Sequence, residues 1–366
     1  IRVVGARVDF DDQNNKMVID PTHVSHLEAP YDLVRKMRAS FYMLGALVGK
    51  HKYAKVSLPG GCAWGPRPVD LHLKGMEAMG IDVELDGGYV IAKADDTLPP
   101  ASYELSPSSV GATVNLLLAS VLRSEEFTLK NAAKEPDVVQ LCEALVQMGA
   151  DISGIGTDTL VVRKVDSLKG IQIHNDPDRI ELGTFMIAGA MKPGNELELT
   201  GCDPEQLGNF PELLRETGAS VSIEGDVITL KAPDVLKPVS ITTDIYPGFP
   251  TDLQAQWATM LTQAEGSSSV TDTVYYDRFS YVPELSRLGA KMHVDKNTVH
   301  ISGKTMLTGA SVMSTDLRAS VSLVMAAMVA EKTTEVLRIY HLDRGYESLE
   351  DKLNGVGAKI KRADDQ

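Results

Sequence analysis

The chain has 366 residues, of which 43% are hydrophobic and 23% are charged. These proportions are typical of a globular protein, and the length suffices for two domains with separate cores. The formal net charge of −14 argues against general nucleic-acid binding, and every long apolar stretch is broken by a charge or a glycine before it reaches transmembrane length. Three cysteines, an odd number in so long a chain, favour free thiols and a reducing cytoplasm.

A regular repeat runs through the whole sequence. At six positions a helix-like run ends in a glycine and passes into a segment in which apolar and polar residues alternate. Glycine just past a helix end adopts the left-handed conformation without a Cβ clash, and alternation is the period of a half-buried strand. The six glycines, which stand 75, 69, 69, 71 and 68 residues apart, are Gly5, Gly80, Gly149, Gly218, Gly289 and Gly357. The sequence therefore predicts an array of six similar units.

Between these junctions lie five segments that are rich in small residues and apolar nearly all round. In chain order they read HLEAPYDLVRKMRASFYMLGALV, YELSPSSVGATVNLLLASVL, IHNDPDRIELGTFMIAGAM, ITTDIYPGFPTDLQAQWATML and VMSTDLRASVSLVMAAMV. Helices of this composition are usually buried, whereas the helix before each junction glycine is more amphipathic and should lie outside. The pattern predicts an α/β protein of two inside-out barrels, in which sheets wrap inner helices and three units form each barrel. We expect the first barrel domain at 1–176 and the second at 177–366.

The first of the six units is expected to be incomplete. Its junction glycine stands at position 5 with no unit in front of it, whereas the other five junctions each follow a full unit. At the observed spacing, about 50 to 60 residues of a complete repeat are expected to precede Ile1.

The segment LPGGCAWGPRPVDLH at 58–72 is the strongest local indication of chemistry. Glycines and prolines crowd around Cys62, and their density excludes helix and strand and predicts an exposed loop. Arg67 and the first amides of the following helix favour anions and would stabilise the thiolate. From these residues alone, a reactive thiol and an incidental surface cysteine are about equally supported, whereas Cys142 and Cys202 favour structural roles.

Five motifs spread over the chain resemble those of the UDP-N-acetylglucosamine enolpyruvyl transferase family. They are PGGCAWGPRPVDLH, FPTDLQAQ, YYDRFSYVPELSRLGA, STDLRAS and YHLDRGYE, in the order of the family. The resemblance implies two inside-out α/β barrels with the active site in the cleft between them, which agrees with the repeat. It implies transfer of enolpyruvyl from phosphoenolpyruvate to the 3-hydroxyl of UDP-N-acetylglucosamine, with release of phosphate and without a metal or organic cofactor. That reaction opens peptidoglycan precursor synthesis in the cytoplasm, on which cell-wall formation, cell shape and cell division depend.

Enolpyruvyl transfer by addition and elimination requires a proton at the vinyl carbon and removal of a proton from the sugar hydroxyl. The resemblance implies that Cys62 is the general acid toward phosphoenolpyruvate and a candidate for a covalent adduct with it. It implies that Asp252 is the base or orienting group at the sugar hydroxyl, and that Asp316 and Arg344 belong to the reacting centre. Helix N-capping is the structural alternative for Asp252 and Asp316, and it is compatible with catalysis.

Both substrates are anions while the protein is acidic, so binding must come from local cations and helix N-termini. Arginine suits this purpose because its planar fork donates two parallel hydrogen bonds to phosphate or carboxylate. The resemblance implies a set of substrate-binding residues, which are Arg38, Arg67, Pro68, Val69, Asp70, Leu71, Pro107, Ser108, Ser109, Val110, Glu135, Val274, Arg278 and Arg318. The runs 67–71 and 107–110 are expected on the uridine side, and Val274 beside the sugar. Pro107 departs from the pattern, since some members carry a basic residue there.

Two other functions fit parts of this pattern. The shikimate-pathway enolpyruvyl transferase shares the fold and the donor but is not expected to carry the PGGC loop. A non-catalytic binding protein on the same scaffold fits the incomplete first unit, because the family's upstream segment carries a Lys-Asn pair that binds phosphoenolpyruvate. A chain that begins at Ile1 is for this reason expected to have little transferase activity. No histidine spacing indicates a metal site, and neither a cofactor nor a nucleic-acid or membrane partner is expected.

We predict that Cys62 reacts with an epoxide phosphonate of the fosfomycin type, which in this family alkylates the matching cysteine. The exposed loop and the nearby cation favour attack by this thiol. Mass spectrometry of peptides from the treated protein should find the adduct on Cys62. Label on Cys142 or Cys202 instead would contradict the assignment.

Overall fold

The computed structural model describes residues 1–35, 37–59 and 69–363. Contacts between residues divide the chain into two units, 1–174 and 175–366, whereas the sequence placed the boundary after residue 176. Each unit has its own hydrophobic core. Among the described residues, no helix combines the length and the apolar character that crossing a membrane would need.

The first unit contains a hairpin and two complete repeats. A 3₁₀ helix (Arg2–Val4) leads into β1 (Arg7–Asp11) and β2 (Lys16–Asp20), which form a two-stranded sheet. The first complete repeat comprises β3 (Glu28–Ala29), α1 (Tyr31–Val34), a 3₁₀ helix (Arg38–Tyr42), α2 (Met43–His51), β4 (Tyr53–Ser57), α3 (Asp70–Ala78), β5 (Asp82–Asp86) and β6 (Tyr89–Lys93). The second comprises β7 (Ala101–Glu104), α4 (Val110–Ser120), β8 (Glu126–Lys130), α5 (Pro136–Met148), β9 (Asp151–Ser153) and β10 (Thr159–Arg163).

Both complete repeats share one sheet topology, with strand orders β3-β4-β6-β5 and β7-β8-β10-β9. The first two strands of each order are parallel and the remaining neighbours are antiparallel. A parallel pair requires a crossover connection, which the inner helices α2 and α4 supply. The outer helices α3 and α5 then lead into the antiparallel hairpins. In each repeat the inner helix therefore lies between the two parallel strands along the chain.

The second unit contains three repeats. The first comprises α6 (Arg179–Ala190), β11 (Glu196–Leu199), a 3₁₀ helix (Pro204–Leu207), α7 (Phe210–Glu216), β12 (Ser220–Glu224) and β13 (Val227–Lys231). The second comprises β14 (Ile241–Thr242), a 3₁₀ helix (Thr251–Leu253), α8 (Gln254–Leu261), β15 (Ser268–Thr271), α9 (Tyr281–Arg287), β16 (Met292–Asp295) and β17 (Thr298–Ile301). The third comprises β18 (Ser311–Met313), α10 (Leu317–Val329), β19 (Glu335–Leu337), a 3₁₀ helix (Ile339–Arg344) and α11 (Leu349–Gly355). The corresponding sheets are β11-β13-β12, β14-β15-β17-β16 and β18-β19.

The six junction glycines behave as the sequence predicts. All six are left-handed, with φ between 90° and 108°. Five of them lead into a strand, namely β1, β5, β9, β12 and β16. The expectation of a strand after Gly357 is wrong for residues 358–363, which join no ladder. In the other five repeats, the strand after the glycine pairs with the return strand of a hairpin. Residues 358–363 pair with no such strand among the described residues, and an extended segment needs a partner to form a ladder.

The five segments that the sequence identifies as inner helices form the buried centres of the two units. In the first unit, α2 and α4 approach so closely that only glycine fits between them. A Cβ on Gly45 would lie 2.2 Å from the backbone oxygen of Asn115, and one on Gly49 would lie 2.4 Å from the oxygen of Leu118. The Asn115 side chain links the two helices, because its Oδ1 accepts the Gly45 N–H at 2.8 Å and its Nδ2 donates to the Phe41 oxygen at 3.2 Å.

We predict that Gly45→Ala destabilises the first unit by about 1–3 kcal/mol, the usual cost of forcing extra volume into a packed core. The neighbouring atom is backbone, so the helices would have to separate. Gly355→Ala is the matched control, since this helical glycine has no atom within 4 Å of an added Cβ and alanine favours helix. Urea unfolding followed by circular dichroism measures both variants. Equal midpoints for the two would contradict the close approach.

Candidate active site

Asp252, just before α8, is held between Arg278, in the segment before α9, and Arg318, in the first turn of α10. It lies in the 3₁₀ helix Thr251–Leu253, which leads into α8. Its Oδ1 accepts from Arg278 Nη1 at 2.5 Å and its Oδ2 from Arg318 Nη2 at 3.2 Å. Only 8% and 11% of the two arginine side chains are exposed, against 39% of Asp252. The arrangement is thus a partly exposed carboxylate that pairs with two largely buried cations and leaves the triplet with a net positive charge.

The charges of this triplet set the protonation state of Asp252. Burial alone would raise the pKa of its carboxyl, but Arg278 and Arg318 outweigh burial and hold that pKa well below its usual range. Asp252 in turn raises the pKa of Arg318 against the opposing effect of burial. The carboxylate is therefore ionised at every pH near neutrality. The structural alternative of N-capping does not apply to Asp252, because its oxygens accept from the two guanidinium groups, and Pro250 occupies the cap position of this 3₁₀ helix.

Asp272 fixes the segment on the Arg278 side of the triplet. This fully buried residue follows β15. Its Oδ1 accepts from Thr243 Oγ1 and from the amides of Val274 and Tyr275, at 2.8 to 2.9 Å. Its Oδ2 accepts from Thr251 Oγ1 at 2.7 Å and from Gln254 Nε2 at 3.3 Å. One carboxylate thereby anchors both the Asp252 segment and the loop that begins with Val274.

Thr251 connects Asp272 to Arg278. Because its hydroxyl proton goes to Asp272, its oxygen is left to accept from Arg278 Nη1 at 3.2 Å. Gln254 Nε2 also donates to the Arg278 backbone oxygen at 3.1 Å. Sequence reasoning did not identify Asp272 or Thr251 as functional residues. Thr251 belongs to the FPTDLQAQ motif and Asp272 lies three residues before YYDRF, and these positions were their only signal.

Asp316 and Arg344 occupy a second part of the same unit. Asp316 caps α10, since its Oδ1 accepts from the amides of Arg318 and Ala319 at 2.8 and 3.0 Å, and this expectation is confirmed. Arg344 is exposed at the end of the 3₁₀ helix Ile339–Arg344. Burial lowers the pKa of His341, Asp316 opposes that shift, and Arg344 adds to it. His341 therefore lies within electrostatic reach of both predicted residues.

In the first unit, Arg38 and His72 meet at the start of α4. Ser109 caps this helix, its Oγ accepting from the Ala112 amide at 3.3 Å. A Cβ on Gly111 would lie 3.3 Å from His72 Nε2 and 3.8 Å from Arg38 Nη2. A helix N-terminus with a guanidinium and a buried imidazole beside it is suited to an anion.

The protonation state of His72 follows from its neighbours. Asn115 Oδ1 accepts from the Gly45 amide, so the Nδ2 of this side chain must donate to His72 Nδ1 at 2.8 Å. The imidazole is then neutral and carries its proton on Nε2, the atom beside Gly111 and Arg38. Burial, with the charge of Arg38, lowers the pKa of His72 to about 4. This neutral donor was not among the predicted site residues, although it lies within the PVDLH motif.

Most of the remaining predicted site residues that the structure describes lie on or next to helix starts. Val69, Asp70 and Leu71 open α3, Pro107, Ser108 and Val110 surround the start of α4, and Glu135 is the cap residue of α5. Val274 is 38% exposed at the loop held by Asp272. Cys62, Arg67 and Pro68 lie outside the described residues. Of the other cysteines, Cys142 is buried, which raises the pKa of its thiol to about 11, and Cys202 is half-buried.

Comparison with known proteins identifies the family of the chain. The profile of the family described as EPSP synthase (3-phosphoshikimate 1-carboxyvinyltransferase) matches residues 1–353. The UDP-N-acetylglucosamine 1-carboxyvinyltransferase of Chloroherpeton thalassium is 51% identical over 363 residues, which are 99% of this chain and 84% of the relative. The protein of the same name from Chlorobaculum parvum is 49% identical over 99% of this chain and 85% of its own. The chain belongs to the UDP-N-acetylglucosamine 1-carboxyvinyltransferase family.

The fold of this family member agrees with solved enolpyruvyl transferases. The crystal structure of the enolpyruvyl transferase NikO from Streptomyces tendae superimposes with a TM-score of 0.87 at 28% identity, covering 98% of this chain and 85% of that one. The predicted α/β enolpyruvyl transferase fold is therefore confirmed, and the chain is a carboxyvinyl transferase by family.

We predict that Asp252→Asn lowers the free energy of unfolding at pH 7 by about 1–3 kcal/mol, because two buried cations lose their charged partner. The folded-state pKa of Asp252 lies below the unfolded value of about 3.9. Its stabilising effect is therefore present above about pH 4 and is lost as the pH falls through the folded pKa.

Urea unfolding of wild type and variant between pH 7 and pH 3 measures this effect. The difference between them should stay constant down to about pH 5 and narrow below about pH 4. Asp234→Asn, at an exposed position of the same unit, should behave like wild type throughout. A difference as large at pH 3 as at pH 7 would contradict stabilisation of the carboxylate by the arginines.

Proposed function

We propose that the protein transfers enolpyruvyl from phosphoenolpyruvate to the 3-hydroxyl of UDP-N-acetylglucosamine, releasing phosphate, as the first committed step of peptidoglycan precursor synthesis in the cytoplasm. The observation that carries the proposal is the Asp252 carboxylate held by Arg278 and Arg318, in a chain 51% identical to a transferase of that name. The same residues stand in the motifs FPTDLQAQ, YYDRF and STDLRAS.

The electrostatics of the triplet suggest how substrate binding prepares the reaction. With both arginines on Asp252, its carboxylate is a weak base suited to accepting a hydrogen bond from the sugar hydroxyl. An anionic phosphoenolpyruvate that engages Arg278 and Arg318 competes with Asp252 for them. Losing part of that positive field raises the pKa of the Asp252 carboxyl. The donor substrate thereby makes Asp252 a better proton acceptor at the moment when the hydroxyl must be activated.

The first-unit cluster is suited to the nucleotide. Arg38 and the α4 amides after Ser109 provide positive charge for the diphosphate, and the Nε2–H of His72 adds a neutral donor. The residues at the start of α3, Val69 to Leu71, are assigned to the uridine side. Cys62 and Arg67 complete the assignment by family resemblance, Cys62 as the acid toward the vinyl carbon. Neither a metal nor an organic cofactor enters this scheme.

We predict that the full-length protein releases phosphate from phosphoenolpyruvate in the presence of UDP-N-acetylglucosamine and not of shikimate 3-phosphate. Asp252→Asn should lower kcat by about 10²- to 10⁴-fold, the usual effect of removing a general base, while Asp234→Asn keeps wild-type turnover. A coupled phosphate assay with mass spectrometry of the nucleotide product measures both. Turnover with shikimate 3-phosphate alone would favour the shikimate-pathway reaction. Tight binding of the nucleotide sugar without turnover would favour a binding protein.

A further inference from the structure

Tyr346 binds the Nη atom of Arg318 that does not contact Asp252. This tyrosine follows the 3₁₀ helix Ile339–Arg344 and is 1% exposed. Its hydroxyl accepts from Arg318 Nη1 at 3.2 Å, while Nη2 of the same guanidinium donates to Asp252 Oδ2 at 3.2 Å. The Arg318 Cζ also lies 5.8 Å from the centre of the tyrosine ring. A planar guanidinium bound through both Nη atoms is restrained from rotating.

The direction of each hydrogen bond around Tyr346 can be assigned. Thr184 Oγ1 donates its single proton to the Ile180 oxygen at 2.7 Å. The 2.9 Å contact between Thr184 Oγ1 and Tyr346 Oη must then be donated by the tyrosine. With its proton committed to Thr184, the phenol oxygen presents its lone pairs to Arg318. Arg318 can only donate, so the part played by Thr184 is to fix the direction of the phenol proton and thereby keep the lone pairs of Tyr346 Oη toward the arginine.

The same network reaches the backbone of Asp252. Gln256 Nε2 donates to Thr184 Oγ1 at 3.2 Å and to the Asp252 backbone oxygen at 2.9 Å. Thr184, Gln256 and Arg318 belong to the three inner helices α6, α8 and α10. Gly345, between Arg344 and Tyr346, packs so closely on Leu317 that an added Cβ would lie 2.8 Å from it. Tyr346 thus connects the starts of three inner helices and the segment that carries Arg344.

We propose that Tyr346, oriented by Thr184, is a positioning residue for enolpyruvyl transfer that aims the Arg318 guanidinium at Asp252 and at the donor substrate. This inference rests on the proposed function. Without the phenol oxygen, Arg318 keeps its charge but is held only through Asp252, and a guanidinium with one anchor can turn about that bond. Substrates would still bind to the cation, whereas the geometry that the transition state requires would be populated less often.

The test compares Tyr346→Phe with Tyr246→Phe in the full-length protein. Tyr246 is a matched control in the same unit, because Arg179 lies 5.7 Å from its ring and its hydroxyl donates to the Glu205 oxygen at 3.1 Å, but its bonds do not involve Asp252. Tyr346→Phe should lower kcat by about 10- to 100-fold, as expected for a small misplacement of a reacting group. Both KM values should stay within about 3-fold of wild type. Tyr246→Phe should match wild type in all three constants.

Substitutions at Thr184 separate positioning from simple loss of packing. Thr184→Ser keeps the hydroxyl and should retain wild-type kcat. Thr184→Val keeps the shape but removes the acceptor of the Tyr346 proton, and it should lower kcat as Tyr346→Phe does. The kcat of the double variant Tyr346→Phe/Thr184→Val should be little lower than that of either single variant, because both substitutions break the same chain of hydrogen bonds. The proposal would be overturned if the losses of kcat in the double variant were additive, or if Thr184→Ser and Thr184→Val lowered kcat equally.

A crystal structure of Tyr346→Phe tests the inference independently of turnover. The Arg318 guanidinium should rotate and its Nη2 should leave the Asp252 oxygen. An unmoved guanidinium would overturn the inference, whichever reaction the protein catalyses. Wild-type protein without turnover on UDP-N-acetylglucosamine would refute the proposed function but not the role of Tyr346 in holding Arg318. If the wild-type protein turns over UDP-N-acetylglucosamine and Tyr346→Phe has the same kcat, only the positioning role is refuted.

Discussion

The pairing of one carboxylate with two buried guanidinium groups is the interaction on which the second unit depends. Arg278 and Arg318 are largely withdrawn from water, and uncompensated charges in that position would be strongly unfavourable. Asp252 pairs with both from a partly exposed position, and the triplet retains a net positive charge. Stability of the unit and readiness for an anionic ligand therefore depend on the same three side chains.

Each arginine of this triplet has its own buried support. Next to Arg278, the Thr251 hydroxyl donates its hydrogen bond to Asp272, and the threonine oxygen accepts from Arg278. Next to Arg318, the Tyr346 hydroxyl donates its hydrogen bond to Thr184, and the phenol oxygen accepts from Arg318. The two supports use the same physical device, a hydroxyl whose proton is committed elsewhere and whose lone pair faces the cation. Such networks fix geometry because every donor direction is already assigned.

The first unit uses close helix packing for a similar purpose. Gly45 and Gly49 let α2 and α4 approach until Asn115 can bridge them. The amide of Asn115 then fixes the tautomer of His72, which presents an N–H beside Arg38 and the start of α4. A neutral donor there adds hydrogen bonding without adding charge, so its contribution does not change near neutral pH.

Local features of the sequence determined the repeat and the class of the fold. The junction glycines are left-handed where a helix must stop, and the small apolar segments become inner helices because no other arrangement buries them on all sides. Asp316 caps its helix through amides only two and three residues away, a contact that the sequence alone makes readable. The motifs likewise indicated Asp252, Arg278 and Arg318, because the residues of each motif are contiguous in the chain.

Only the tertiary structure decided which of these residues meet. Asp252 reaches Arg278 and Arg318 at separations of 26 and 66 residues, and Tyr346 reaches Thr184 across 162. No local pattern encodes such pairings, since they follow from how the inner helices pack. The sequence alone allowed Asp252 to cap its own helix, and the packing instead placed two cations within its reach. A charged group at a helix start takes the strongest partner that the fold brings to it, and the neighbours that supply that partner are distant in the chain.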